Sequence, residues 1–170
     1  MERSAAAKKL VLVGVLAMTL ANCSGSGRGT GAATRFLGQD TTPLETYSAE
    51  QIFERGEFEI NRNKPDKAAF YFSEIERLYP YSEWAKRALI MQAFAYHQDQ
   101  DYPNSRSAAQ RFIDFFPDDD DAAYAQYLLA LSYYDQIDEV GRDQGLTFQA
   151  LQSLRKVIEN YPDSEYAKSA

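Results

Sequence analysis

Side chains able to do chemistry are few in this chain and lie far apart. Cys23 is the single cysteine and His97 the single histidine. One histidine cannot build a metal triad, nor can it be joined to a serine and an acid by any spacing that marks a nucleophile relay. Asp118 to Asp121 set four carboxylates in a row, yet the glycine and the spaced glutamate of a calcium loop are missing. That run reads as acidic residues gathered at a helix N-terminus, where the dipole favours them. Arg142-Asp143 reads as an ion pair inside a polar loop, and no glycine-rich phosphate loop occurs. A non-enzymatic chain without metal or cofactor is the expectation.

The chemistry of Cys23 follows from its position. Arg3, Lys8 and Lys9 precede an apolar run, Leu10 to Leu20, that is too short to cross a bilayer as a helix and has the form of a secretory signal. The run ends Leu20-Ala21-Asn22-Cys23, which resembles the bacterial lipobox, where the cysteine sulfur takes a diacylglycerol and becomes the acylated N-terminus after cleavage. Asn22 stands where glycine, alanine or serine is usual. Ser24 takes the place at which an aspartate would resemble an inner-membrane retention signal, so the resemblance implies the outer membrane. Acyl chains contribute about 0.8 kcal/mol per buried methylene, enough for two or three of them to make a permanent anchor. With this thiol lipidated no disulfide can form, and stability must come from packing. The net charge is −7 although the leader is basic, so the remainder is more acidic still. Such a balance repels phosphate backbones and anionic head groups, which excludes nucleic acid as a partner.

Three stretches organise the chain. Residues 1–22 form the signal, and residues 23–47, rich in Gly, Ser and Thr, form a flexible tether. Residues 48–170 form an all-α domain. Ser48 with Gln51 three residues on makes a capping box, and the first helix runs to about Arg62. Asn63-Lys64-Pro65 breaks it, Asp66 is the expected cap of the next helix, and Pro80 stops that helix. An aromatic residue followed by proline then recurs at Phe116-Pro117 and Tyr161-Pro162. A helical hairpin that cannot bury its apolar face alone is thereby repeated, which predicts a tetratricopeptide-type solenoid of about three repeats and the start of a fourth.

Alignment on the prolines supplies the register. With Pro80 at position 32 of the repeat, Gly56 falls at position 8, Ala68 at 20 and Phe72 at 24. The same placement of Pro117 puts Ala93 at position 8, Tyr96 at 11 and Ser105 at 20. In the third unit Tyr134 takes position 11 and Ala150 position 20 if seven residues are added between its helices, with the polar Asp138 to Gly145 stretch as the added loop. Positions 8 and 20 need small side chains because the two helix axes approach to roughly 8–10 Å there.

The stretches Glu74-Ile75-Glu76-Arg77-Leu78-Tyr79-Pro80-Tyr81-Ser82, Arg111 to Pro117, Gly141-Arg142-Asp143-Gln144 and Tyr161 to Ala167, behind a lipobox and a tether, resemble the BamD family of outer-membrane assembly lipoproteins. The resemblance implies a lipid-anchored scaffold at the periplasmic face of the outer membrane, in the machinery that inserts β-barrel proteins. Its implied partners are unfolded β-barrel substrates, a BamA-type barrel subunit and other assembly lipoproteins. Family members resemble five-repeat proteins, so a chain ending soon after Ser164 opens a fourth unit is expected to be C-terminally truncated. The alternative is a periplasmic tetratricopeptide adaptor of the cell-envelope constriction machinery, which carries no acyl anchor.

In such arrays positions 2, 5, 9 and 12 of each first helix face a concave groove. Unit one supplies Glu50, Phe53, Glu57 and Ile60; unit two Arg87, Ile90, Phe94 and His97; unit three Ala125, Leu128, Ser132 and Asp135. Phe53, Ile90, Phe94 and Leu128 either belong to the core, as apolar residues at helical spacing commonly do, or take aromatic side chains of an extended barrel-strand signal, Phe94 first among them, with Arg87 pairing a terminal carboxylate and His97 beside them.

Overall fold

In the computed structural model, which describes residues 42–137 and 144–170, the first α-helix opens at Ser48 with a closed capping box. Ser48 Oγ accepts from the Gln51 N–H at 3.2 Å, and the Ser48 N–H donates to Gln51 Oε1 at 3.0 Å. The signal-like segment, Cys23, most of the tether and most of the Asp138 to Gly145 stretch lie outside the described residues. Six helices follow in order: α1 (Ala49–Asn61), α2 (Pro65–Leu78), α3 (Glu83–Gln98), α4 (Tyr102–Phe115), α5 (Ala122–Tyr134) and α6 (Gln144–Asn160). A 3-10 turn, Leu44–Thr46, precedes them and a second one, Tyr166–Lys168, follows. Every regular element among the described residues is helical, and each helix packs on the next as a tetratricopeptide-like stack of hairpins.

The breaks between helices are set locally. Asn63 and Gln100 turn the chain with positive φ, at 55° and 63°, just before α2 and α4. Asp66 is not the cap of α2: the cap position is Lys64, without a side-chain bond, and Pro65 is the first helical residue. Proline there needs no N–H partner and brings its φ already set, which leaves Asp66 in the first turn near the positive end of the dipole. At each aromatic–proline pair the aromatic N–H closes the last helical bond, Tyr79 to Ile75 O at 2.8 Å, Phe116 to Phe112 O at 2.8 Å and Tyr161 to Val157 O at 3.0 Å. The following proline has no N–H with which to continue. Ser82 Oγ then donates to Tyr79 O and accepts from the Ala85 N–H, and Ser164 repeats both bonds with Tyr161 O and the Ala167 N–H. The middle turn has Asp119 in the serine's place, and its Oδ1 accepts from the Asp121 N–H.

Small residues sit where helices cross. A Cβ added to Gly56 would lie 2.5 Å from Cε1 of Phe72, a fully buried ring. At the next crossing Ser105 Oγ donates to Ala93 O at 2.9 Å and accepts from Ser132 Oγ at 3.0 Å, tying α3, α4 and α5 together inside the core. The apolar core is accordingly in two parts, one among α1, α2 and α3 and one among α3, α4 and α5. Arg111 of α4 reaches back to Glu76 of α2 and satisfies the buried Gln92 Oε1 at 3.1 Å. Leu44 and Tyr47 pack against the first core, so the Leu44 to Tyr47 stretch is folded onto α1 and α2. α6 packs on α5, burying Ala150, Ser153 and Val157, and leaves Phe148, Leu151 and Ile158 in solvent.

The register of the third unit differs by one residue from the sequence-based placement. Ala130, not the residue after it, is fully buried at the crossing, Tyr133 packs into the core and Tyr134 is 57% exposed. Residues of α5 lie 37 positions beyond their equivalents in α3, pairing Ala85 with Ala122, Ala88 with Ala125 and Ala93 with Ala130, all six buried. A count taken inward from Pro162 crosses a loop of unfixed length and slips by one.

Candidate functional site

The odd-numbered helices form the inner row of the stack. α1 touches α3 and α3 touches α5, and no comparable contact joins α2 to α4 or α4 to α6. A row of rods packed more closely on one side curves toward that side, so this is the concave face.

On it the structure separates the sequence-predicted residues into two layers. Phe53, Ile90 and Leu128 are 2%, 6% and 3% exposed and belong to the core rather than to the surface. Phe53 is buried because the next repeat covers it: its ring meets Phe72 at 5.2 Å and Trp84 at 5.1 Å. Ile90 and Leu128 lie in the core shared by α3, α4 and α5. Phe94 rests half-buried on that same core.

Arg87 is exposed and fixed. Its guanidinium stands 4.9 Å from the Phe53 ring centre and 4.7 Å from that of Trp84. Two rings under one cation hold the charge in place at little cost in side-chain freedom. His97 lies further along α3, edge-on to Tyr102 at 5.5 Å. Its Nε2 is 3.0 Å from Asp135 Oδ2 but out of line for a hydrogen bond, so the contact is an ion pair only when the ring is protonated. The structure therefore brings Arg87, Phe94 and His97 onto one helix face above a floor of Phe53, Ile90 and Leu128.

The corrected register adds residues that sequence reasoning missed. The equivalents of Arg87, Ile90, Phe94 and His97 on α5 are Tyr124, Tyr127, Leu131 and Tyr134. Tyr166 of the closing 3-10 turn lies against the first two, with ring centres 5.3 Å from Tyr124 and 5.5 Å from Tyr127, as Trp84 lies against Phe53. Burial pushes the Tyr124 phenol up to about 12, helped by Tyr166 and Asp121 nearby. It stays a neutral hydrogen-bonding group throughout the physiological range. The constant spacing of 37 between Ala88 and Ala125, and again between Ala93 and Ala130, is the signal that would have found them.

The face offers a clamped cation, a half-open phenylalanine and a row of tyrosines, which suits an extended peptide. Asp118 to Asp121 do not converge, and no group of three metal-binding side chains occurs among the described residues. No helix among them is long and apolar enough to cross a membrane.

Comparison with known proteins places relatives beside this geometry. The family model YfiO, described as "Outer membrane lipoprotein", matches residues 45–170. A protein of Caulobacter vibrioides named "Outer membrane protein assembly factor BamD" is 35% identical over 156 residues, 92% of this chain and 48% of the relative. Proteins of the same name from Rickettsia prowazekii and Neisseria meningitidis serogroup A are 34% and 23% identical, over 68% and 96% of this chain and 46% and 62% of their own lengths. The chain thus spans about half the length of the first two relatives.

Proposed function

We propose, from the premise that this chain belongs to the YfiO family of outer membrane lipoproteins, that it is a scaffold in the assembly of outer membrane β-barrel proteins. On this reading Cys23 carries the acyl anchor that holds the repeats at the periplasmic face. The inner row receives extended segments of unfolded barrel proteins, and a BamA-type barrel subunit and other assembly lipoproteins are its neighbours. No step of bond making or breaking is assigned to it.

The observation that carries the reading is Arg87 fixed over Phe53 and Trp84, on the same face of α3 as Phe94. Barrel strands alternate apolar and polar side chains with period two, so an extended segment presents an aromatic residue and, at its end, a carboxylate to the same face. Arg87 matches the carboxylate in charge and Phe94 offers the aromatic residue a partly open ring surface. Phe53, Ile90 and Leu128 act from beneath by setting the height and rigidity of that surface.

A labelled peptide from the C-terminus of an outer-membrane barrel tests it. Phe94→Ala and Arg87→Gln should each weaken binding about tenfold or more, the loss typical of a central contact, with the helical circular-dichroism signal retained. Unchanged affinity in both variants would remove the inner row from the reading. The anchor is tested separately, since Cys23→Ser should abolish palmitate labelling and release the chain from envelope membranes.

A further inference from the structure

An open groove of about 1020 Å³ lies at the edge of the stack, between the turn that ends α2 and the turn that ends α4. Pro80, Leu89 and Phe116 give it an apolar floor. Two rings stand over this floor largely in solvent: Tyr81 is fully exposed and Phe115 is 65% exposed. The fold does not call for either. The place after the proline that Tyr81 fills is taken by Asp118 in the middle turn and Asp163 in the last, and the place before the aromatic that Phe115 fills is taken by the partly buried Leu78 at the end of α2 and by Asn160 at the end of α6. Two aromatic side chains left in solvent at one groove, Tyr81 where both sister turns carry an aspartate, mark a contact surface.

Charge says what would fit. Lys86 Nζ is bound to Asp119 Oδ2 at 2.6 Å, and Arg87 is stacked on Phe53 and Trp84 at the boundary with the inner row. Glu83, Asp120 and Asp121 also line the groove, and none of their carboxylates has an ion-pair partner among the described residues. The groove thus keeps unneutralised negative charge beside two rings whose faces attract cations.

We propose that this edge groove is a second docking site, taking an extended segment of a partner protein in which lysine or arginine is flanked by apolar side chains. The apolar side chains lie between Tyr81 and Phe115, and the cation sits against Asp120 and Asp121. An anionic segment is excluded by the same carboxylates.

A short fluorescein-labelled peptide of alternating lysine and leucine is the probe, with an alternating glutamate and leucine peptide as its counterpart, read by anisotropy. The lysine peptide should bind and the glutamate peptide should not. The double variant Tyr81→Ser with Phe115→Ser, both exposed and outside the core, should weaken binding about tenfold. Asp120→Lys with Asp121→Lys should do the same, whereas Glu54→Lys with Asp66→Lys, an equal charge change elsewhere on the exposed surface, should change it less than about twofold. Equal losses from both charge reversals would mean general attraction to an acidic chain and would overturn the site. So would an affinity untouched by loss of the two rings.

Discussion

In the first repeat the helices cross at Gly56, whose missing side chain admits the Phe72 ring, whereas in the second they cross at Ala93, whose carbonyl accepts a hydrogen bond from Ser105. Both solve the problem of bringing two backbones close. The first does so without a hydrogen bond, the Phe72 ring filling the space over the glycine and the Phe53 ring meeting both Phe72 and Trp84. The second inserts hydroxyls that link three successive helices through Ser105 and Ser132. A dry crossing depends on volume and tolerates no added atoms. A bonded one depends on pairing and fails by leaving a partner unsatisfied.

The largest effect should come from filling the dry crossing. Gly56→Leu would drive its side chain into Phe72, and Ala68→Leu would add volume at a fully buried position of α2, the helix that carries Phe72. Each should cost about 3 kcal/mol or more, the upper range for overpacked cores, read as a shift in urea midpoint. A variant as stable as the parent would show that the ring can swing aside and that the crossing is not closed by volume.

A smaller loss should follow from unpairing the bonded crossing. Ser105→Ala removes the donor to Ala93 O and the acceptor of Ser132 Oγ, at a cost of about 1–3 kcal/mol for buried groups left unsatisfied. Adding Ser132→Ala should cost less than it does alone, because its hydroxyl has already lost its partner. A double-mutant cycle with no coupling would sink the chain of bonds. Gly56→Ala is the milder form of the first test: its Cβ would lie 2.5 Å from the buried Phe72 ring, which must shift, and about 1 kcal/mol of helix propensity offsets part of that cost. Equilibrium unfolding should show a net loss below that of Gly56→Leu.

The same contrast accounts for what the sequence reveals. Caps, breaks and the aromatic–proline stops are local, so Ser48 with Gln51, Pro65 and the three turns are readable from neighbours a few residues away. Gly56, Ala68, Ala93 and Ser105 are readable too, because a repeat places small residues at fixed intervals. α5 is harder. It is apolar on nearly every face, with Ala122, Ala123, Ala125, Leu128, Leu129 and Ala130 all buried among α3, α4 and α6, so its pattern does not declare which side turns inward. Whether Phe53 is core or groove surface is open in the sequence for another reason, since Trp84 covers it from the following repeat. The edge groove joins residues 76–89 to residues 115–121 and exists only once both turns are packed side by side.

Hydroxyl groups in the later half also give it a dependence on pH. Tyr124 is largely buried beneath Tyr166, and desolvation, with Tyr166 and Asp121 adding to it, carries the phenol to about 12. A tyrosine in the unfolded chain titrates near about 10. Between these values the unfolded chain has released a proton that the folded chain still holds, so stability falls as pH rises through this window. The contribution is whole below about pH 10. Tyr124→Phe keeps the ring and removes the proton, so the urea midpoint of this variant should decline less steeply than that of the parent across the window, with the two declining in parallel below it. Parallel curves throughout would mean that the phenolate finds solvent without unfolding, and that the last layer of the inner row is looser than the dry first crossing.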